Sequence, residues 1–249
     1  MRVNFVIGGT QKGGTSALDL FLRQHPQICM PDTRKELHFF DREENFAKKP
    51  TFKKYHANFH PQKRHRVVGE ATPIYMYWDA APARIWSYNP KMKWIILLRQ
   101  PVERAFSAWS MEKHRDADNL SFADAIEQEA ERCRRSLPLQ DRVFSYLDRG
   151  FYAHQLRRLF NIFGRERCLI LLNEELRENH LETLQRIFAF LEVDDSPVVA
   201  PAAVFQQEYD ENIDLELFAR LTRLFYFDIK ELEQLLQKDL SAWYVNGMT

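Results

Sequence analysis

The sequence has little cysteine, no net charge and no long apolar run. Its three cysteines, Cys29, Cys133 and Cys168, are widely spaced and form no C-x-x-C pair, which excludes a metal or redox motif of that spacing. We therefore expect free thiols in a reducing compartment. No run reaches the roughly 18 apolar residues of a membrane span. No signal-like segment precedes the first predicted strand, so the expected location is the cytoplasm.

The charge balance also argues against several partners. Lys and Arg total 35 and Asp and Glu total 35, so the formal net charge is zero. A neutral chain has no general positive field to attract nucleic acid or a strongly polyanionic substrate. The 19 phenylalanines predict a well-filled core or an apolar pocket. The length of 249 residues, without repeats or linkers, favours a single domain over 1–249.

Short apolar runs alternate with segments of helical spacing. Strands are predicted at Asn4–Ile7, Arg66–Gly69, Lys93–Leu98 and Arg167–Leu172. Apolar stripes at helical spacing are formed by Leu156, Leu159, Phe160 and Phe163; by Leu181, Leu184, Ile187, Phe188 and Leu191; and by Leu232, Leu235, Leu236 and Leu240. This alternation predicts an α/β fold with a central parallel sheet flanked by helices, which binds ligands at the carboxyl ends of its strands.

The first predicted strand leads into the glycine-rich loop Gly8–Ser16, and an amphipathic segment follows. A strand, a glycine-rich loop and a helix are a common phosphate-binding unit, because helix N-termini carry unpaired amide groups and partial positive charge. The loop is not a Walker A motif, since Lys12 stands two residues before Gly14 instead of directly after it. It is not a G-x-G-x-x-G fingerprint either. An ordinary turn that binds nothing is the alternative.

Arg99 follows the strand Lys93–Leu98 and is therefore expected at the ligand edge of the sheet. Its planar guanidinium suits a phosphate, although a structural ion pair is equally compatible with the position. Pro101 fits the first turn of a following helix, and Ser107 lies two turns beyond Arg99.

A basic cluster, Arg132, Arg134 and Arg135, is interleaved with glutamates. Its mixed charges favour a solvated helix face, with a substrate contact as the alternative.

Four motifs in a fixed order resemble the sulfotransferases that use 3′-phosphoadenosine 5′-phosphosulfate (PAPS), and in particular the bacterial and heparan sulfate sulfotransferase-like branch. They are K-G-G-T-S from Lys12 to Ser16, K-E-L-H-F-F-D from Lys35 to Asp41, E-A-T-P-I-Y from Glu70 to Tyr75, and L-R-Q-P-V-E-R-A-F-S-A-W from Leu98 to Trp109. Each motif is weak alone, but their order is specific. The resemblance covers about residues 4–195.

The resemblance implies a site for PAPS, with no metal. Lys12, Gly13, Gly14, Thr15 and Ser16 would hold the 5′-phosphosulfate, and Arg99 and Ser107 the 3′-phosphate. Lys12 would stabilise charge on the leaving oxygen. Glu36 would be the general base, with a pKa that must rise for efficient work near neutral pH. His38 is the alternative base or an orienting group, because alternate residues of an extended segment point to the same side.

Two departures from the family pattern bear on the acceptor. The branch commonly has lysine in E-K-[TS]-P, where this chain has Ala71, and the segment Phe205–Asn212 lacks the basic residues of the loop that closes over the nucleotide. Both favour a hydroxyl (or, as an alternative, an amine) of a small molecule or natural product. A saccharide or lipid-saccharide sulfotransferase is the second interpretation. A nucleotide kinase and a non-catalytic PAP-binding protein lie outside this class.

Overall fold

The structure is a computed structural model, and it describes residues 2–195 and 212–244. The described residues form two compact units. The first consists of residues 2–98 and 158–195, and the second of residues 99–157 and 212–244.

The first unit contains a five-stranded parallel sheet. Its strands are β1 (Phe5–Gly9), β2 (Ile28–Cys29), β3 (Val67–Ala71), β4 (Lys93–Leu98) and β5 (Cys168–Leu172). Their spatial order is β2-β3-β1-β4-β5, and every pair is parallel. The chain first extends from β1 to one side of the sheet and later, after β3, crosses to the other side at β4. Parallel sheets bind ligands at such a reversal, outside the carboxyl ends of the strands.

The predicted fold class is confirmed, and the strand predictions are correct to within two residues. All five residues of β1 and β3 are buried, as the apolar runs indicated. The two-residue strand β2 was missed, because a segment this short carries no periodicity. The prediction that all 249 residues form one domain stays a prediction.

The helices are α1 (Thr15–Arg23), α2 (Lys53–His56), α3 (Ala80–Tyr88), α4 (Pro101–His114), α5 (Phe122–Glu127), α6 (Glu129–Arg134), α7 (Tyr152–Phe163), α8 (Asn173–Glu178), α9 (His180–Leu191) and α10 (Leu215–Leu236). Short 3₁₀ turns lie at Glu43–Asn45, Asp148–Gly150, Arg165–Arg167 and Ser241–Trp243.

The core of the first unit lies between the sheet and the helices α1 and α9. Leu18 and Leu22 of α1 and Ile187 and Phe188 of α9 are buried there together with strand residues. Burial of each large apolar side chain contributes roughly 1.5–3 kcal/mol. One position of the α9 stripe was wrong: Leu181 is 57% exposed. It lies in the first turn of α9, where His180 is buried instead.

The second unit begins at the end of β4. Gln100 caps α4 by accepting a hydrogen bond from the Glu103 amide at 2.8 Å, and Pro101 occupies the first helical position. The long helix α10 packs against α4. Its Asp228 accepts a hydrogen bond from the Tyr152 amide at 2.8 Å at the start of α7. Of the C-terminal stripe, Leu232 is buried within α10, whereas Leu240 lies beyond the end of this helix.

The three cysteine thiols are free, as predicted. Within residues 2–195 and 212–244, no helix is both long enough and apolar enough to cross a membrane. The cytoplasmic location stays a prediction.

Candidate active site

The phosphate loop predicted from the sequence lies between β1 and α1 and is fastened to the neighbouring strand β4. The amide and the hydroxyl of Thr10 both donate to the carbonyl oxygen of Leu97, at 2.9 and 2.8 Å. The Gly13 amide donates to the Thr10 carbonyl at 2.9 Å. A Cβ atom at Gly13 would stand 2.4 Å from the Leu97 carbonyl oxygen. Only glycine permits this close approach between loop and strand.

Two residues of this loop have left-handed backbone conformations. Gly14 has a φ of 100° and Lys12 a φ of 68°. Glycine adopts this region without cost, whereas lysine needs support from the surrounding fold. Gly14 is also the N-cap of α1 and has no side chain to cap the first amide groups of the helix. The loop therefore places the uncapped amides of α1 and the backbone of Lys12 at the carboxyl edge of the sheet.

The second motif, residues 35–41, is irregular backbone attached to the end of β3. The Leu37 amide donates to the Thr72 hydroxyl at 3.2 Å. The amides of Phe39 and Phe40 donate to the Tyr75 hydroxyl at 3.1 and 3.4 Å. Because β3 and β1 are adjacent strands, this attachment brings the segment to the same edge of the sheet as the phosphate loop.

The aromatic side chains of this segment belong to a cluster that holds four of the 19 phenylalanines. Phe39 and Phe40 pack against the rings of Phe46, Phe52 and Tyr55, with centroids 4.9–6.4 Å apart. The phenylalanine content predicted either a well-filled core or an apolar pocket. In this cluster the aromatic rings form a packed core.

A lysine that the sequence interpretation did not assign connects the two motifs. The Nζ atom of Lys35 lies 2.7 Å from Ser16 Oγ, 3.3 Å from Thr15 Oγ1 and 3.2 Å from Glu36 Oε1. One ammonium group thus contacts both the start of α1 and the candidate base. The order Lys35-Glu36 in the motif was visible in the sequence, but nothing local indicated that Lys35 would reach residues 19 and 20 positions away.

Glu36 and His38 contact each other, as their spacing predicted, although for a different reason. His38 Nε2 lies 3.2 Å from Glu36 Oε2, and His38 Nδ1 lies 2.9 Å from Asp41 Oδ2. The segment is not simply extended, because His38 has a left-handed φ of 51°. Asp41 is fully buried and was not assigned to the site. Its position three residues after His38 is the signal that could have indicated it.

The two carboxylates hold the imidazole of His38 in its charged form. Hydrogen bonds with Asp41 and then with Glu36 raise the pKa of His38 to about 9. At neutral pH both ring nitrogens therefore carry protons and donate, one to each carboxylate. A protonated imidazole cannot accept a proton from an acceptor hydroxyl, which favours Glu36 over His38 as the base.

The pKa of Glu36 is lowered in this structure, which is opposite to the rise that efficient proton transfer near neutral pH would need. Partial burial acts to raise it, but the hydrogen bond from His38 and the charge of Lys35 outweigh this and lower the pKa of Glu36 below its usual value. Two cations beside one carboxylate stabilise its ionised form. The sequence could not indicate this, because the position of Lys35 depends on the fold.

The residues expected to bind the 3′-phosphate lie in the second unit. Arg99 occupies the connection between β4 and α4, and its guanidinium is paired with Glu103, with Nη2 3.0 Å from Oε2. The Arg99 carbonyl accepts a hydrogen bond from the Tyr152 hydroxyl at 2.9 Å. Ser107 lies on α4 and is 1% exposed. Their binding role stays a prediction.

The basic cluster is engaged in ion pairs in this structure. Arg132 Nη2 lies 2.8 Å from Asp118 Oδ2, and its side chain is 13% exposed. Arg134 and Arg135 are exposed and lie 3.3 and 3.7 Å from Glu131. These contacts favour the solvated helix face for the last two residues and a structural ion pair for Arg132.

The segment Phe205–Asn212, which lacks the basic residues of the loop that closes over the nucleotide, lies outside the described residues apart from Asn212. In the part of the chain that the structure describes, no three His, Cys, Asp or Glu side chains are grouped as metal ligands.

Comparison with known proteins identifies the family of this fold and loop. The family described as "Sulfotransferase domain" matches residues 3–216. The chain belongs to the PAPS-dependent sulfotransferase family. Among solved structures, the sulfotransferase from Alicyclobacillus acidocaldarius superposes with a TM-score of 0.85 and is 32% identical, covering 98% of this chain and 99% of that one. The sulfotransferase domain from the curacin biosynthetic pathway, at 15% identity and a TM-score of 0.53 over 78% of this chain and 75% of its own, shares the fold.

Curated relatives within the sulfotransferase family include eukaryotic enzymes. Mouse heparan sulfate glucosamine 3-O-sulfotransferase 3B1 is 31% identical over 187 residues, which are 75% of this chain and 45% of the relative. The membrane-associated sulfotransferase kil1 of Dictyostelium discoideum is 31% identical over 135 residues, 51% of this chain and 28% of the relative. The chain thus spans less than half the length of these relatives.

Proposed function

We propose that this chain transfers a sulfuryl group from PAPS to an acceptor hydroxyl, with Glu36 as the general base and Lys12 stabilising charge on the leaving oxygen. The proposal rests on two contacts of the Lys35 ammonium group, which lies 2.7 Å from Ser16 Oγ and 3.2 Å from Glu36 Oε1. The phosphate loop and a carboxylate base therefore share one cation. Transfer from a bound phosphosulfate to a hydroxyl needs the donor site and the base close together, and the shared cation supports that placement.

Three features of the loop support its assignment to the phosphosulfate of PAPS. Gly13 leaves no room for a side chain against β4, Gly14 leaves the first amides of α1 uncapped, and Lys12 adds a full charge. When bound, PAPS supplies the activated sulfuryl group. The residues of the chain then act by positioning it and by stabilising negative charge on the oxygen that departs. Arg99 and Ser107 are proposed to hold the 3′-phosphate.

The proton of the acceptor is proposed to move to Glu36. This carboxylate is ionised at neutral pH and is held by His38 and Lys35 on two sides. A low pKa makes a weak base in water. Exclusion of water by bound substrates raises the pKa of a carboxylate, which brings Glu36 closer to the range that proton transfer needs. His38, fixed by Asp41, orients Glu36 and keeps it unprotonated before the acceptor binds.

The acceptor is proposed to be a hydroxyl of a small, weakly charged molecule. Zero net charge and the buried Ala71, where the related branch has lysine, disfavour a long polyanionic glycan. A saccharide hydroxyl is the second candidate, because the mouse relative is named as a heparan sulfate glucosamine 3-O-sulfotransferase.

Turnover of PAPS tests the proposal directly. The purified chain is mixed with PAPS and with phenolic or aliphatic alcohols, an unsulfated oligosaccharide, heparan sulfate and a primary amine, and sulfated product is measured by mass spectrometry. We expect product with a hydroxyl acceptor, and formation of that product should be about 10²–10⁴-fold slower with Glu36→Gln. Tight binding of PAP without transfer to any acceptor would favour a PAP-binding protein, and phosphoryl transfer from ATP would favour a kinase.

A further inference from the structure

A buried carboxylate behind the candidate base is surrounded by three hydroxyl groups. Glu70 lies in β3 and is 0% exposed. Its Oε1 accepts hydrogen bonds from the hydroxyls of Tyr55 at 2.7 Å and Tyr75 at 3.1 Å, and its Oε2 accepts one from the Thr72 hydroxyl at 2.7 Å. All three donors are also buried. Burial of a carboxylate costs free energy unless its oxygens are hydrogen-bonded, and here three hydroxyls supply those bonds. The other contacts of these hydroxyls indicate what Glu70 does.

Two of these hydroxyls also hold the backbone of the segment that carries Glu36. Thr72 Oγ1 accepts the Leu37 amide, and the Tyr75 hydroxyl accepts the amides of Phe39 and Phe40. A hydroxyl has one proton and two lone pairs. Both hydroxyls donate their hydrogen bond to Glu70. The oxygen lone pairs of Thr72 and Tyr75 therefore remain available to accept from the backbone amides.

We propose that Glu70 is a positioning residue for the transfer reaction: its carboxylate sets the direction of the Thr72 and Tyr75 hydroxyls and so fixes the backbone that presents Glu36 and His38. The inference rests on the proposed role of Glu36. It assigns a function to the glutamate of the third motif, E-A-T-P-I-Y.

The ionised form of Glu70 is the one that does this. A carboxylate accepts at both oxygens, whereas a protonated acid or an amide must donate from one side and leaves one hydroxyl proton without an acceptor. Burial raises the pKa of Glu70 to about 7, against the three hydrogen bonds that lower it. The ionisable groups that face it are Tyr55 from α2, Tyr88 from α3, Tyr75, and Asp41 from the segment itself.

Turnover and stability should therefore respond to pH in opposite directions. Ionisation of Glu70 as pH rises through about 7 orders the segment and increases turnover. The folded-state pKa of Glu70 lies above its unfolded value, so its contribution to stability is full below about 4.5 and is lost as pH rises through about 7. A residue with only a structural role would not make turnover rise where stability falls.

Glu70→Gln, Tyr75→Phe and Tyr55→Phe form the matched set of variants. Tyr55 donates to Glu70 but accepts no amide of the segment, and phenylalanine keeps its ring. We expect Glu70→Gln and Tyr75→Phe to lower kcat by about 10–10²-fold, with PAP affinity within about twofold of wild type. Tyr55→Phe should keep kcat at high pH and move the acidic limb of the pH profile upward, because Glu70 loses one of the donors that favour its charge.

Amide hydrogen exchange provides a readout that does not depend on activity. At a pH above the acidic limbs of both proteins, where Glu70 is ionised, protection of the amides of Leu37, Phe39 and Phe40 should fall in Glu70→Gln and stay at the wild-type level in Tyr55→Phe. Wild-type turnover in Glu70→Gln, an acidic limb that Tyr55→Phe does not move, or unchanged amide protection would overturn the proposal. Failure of wild-type protein to transfer from PAPS would instead overturn the proposed function and leave the exchange test valid.

Discussion

The segments expected to act on the sulfuryl group and the segment expected to bind the 3′-phosphate are built in different ways. The phosphate loop and residues 35–41 contain two non-glycine residues in left-handed conformations, Lys12 and His38. They are joined by side-chain contacts that span up to 20 residues of sequence. The connection from β4 into α4, by contrast, follows local rules, with Gln100 as the cap and Pro101 in the first turn.

This difference shows where the fold supports unfavourable geometry. Left-handed conformations of Lys12 and His38 cost energy that only surrounding contacts can offset. An arginine at the start of a regular helix needs no such support. Chemistry is thus expected to depend on the first pair of segments, and ligand affinity on the second. Substitutions in the first should reduce kcat, and substitutions in the second should weaken binding.

The largest effect is expected at Glu36. Glu36→Gln keeps the size of the side chain but cannot take a proton, so kcat should fall by about 10²–10⁴-fold. PAP affinity, measured by calorimetry, should change little. His38→Gln is the matched comparison and should lower kcat less than Glu36→Gln does. A Glu36→Gln variant that retains turnover while His38→Gln loses it would reverse the two roles.

The next effect is expected at Lys12. Lys12→Ala should lower kcat by about 10²–10³-fold, because charge on the leaving oxygen grows in the transition state. The loss in PAP affinity should be smaller than the loss in kcat. Lys91→Ala, which removes an exposed lysine of the same unit, is the control and should have no effect. Near-normal turnover of Lys12→Ala at saturating PAPS would remove this lysine from the chemistry.

A smaller effect, on binding alone, is expected at Arg99. A charge-assisted contact is worth roughly 1.5–3 kcal/mol, so Arg99→Ala should weaken PAP by about tenfold or more. The affinity for 5′-AMP, which lacks the 3′-phosphate, should stay close to the wild-type value. Arg99→Lys keeps the positive charge but not the planar guanidinium, so its affinity for PAP should lie between those of wild type and Arg99→Ala. Equal losses for both nucleotides would mean that the pair with Glu103 is structural.

The smallest effect is a pH-dependent change in stability at His38. The folded-state pKa of His38, about 9, exceeds its ordinary value of 6.5. Its contribution to the free energy of unfolding is therefore full below about pH 6.5 and is lost as the pH rises through about 9. Urea unfolding should show His38→Gln about 1–2 kcal/mol less stable than wild type at pH 6. The difference should be close to zero at pH 10. A pH-independent difference would mean that Asp41 and Glu36 do not hold the charged imidazole.

The sequence allowed more of the fold to be predicted than of the site. Apolar runs such as Lys93–Leu98 marked the buried strands, since both faces of a parallel sheet are covered. Leu181 was misassigned, because periodicity alone does not show which residue of a first helical turn faces the sheet. The lowered pKa of Glu36 could not be predicted from the sequence, because it depends on two cations, His38 and Lys35, whose positions come from the tertiary fold.

By itself, the sequence determined the order of the elements, the glycines at Gly13 and Gly14, and the identities of the groups available for chemistry. These follow from local sterics and from side-chain type. Only the tertiary structure decided that Lys35 reaches Ser16 and that Thr72 and Tyr75 hold the backbone of the segment that carries Glu36. Each of these contacts joins residues through the sheet or its loops, and the free energy that holds them comes from packing across the whole unit instead of from any one motif.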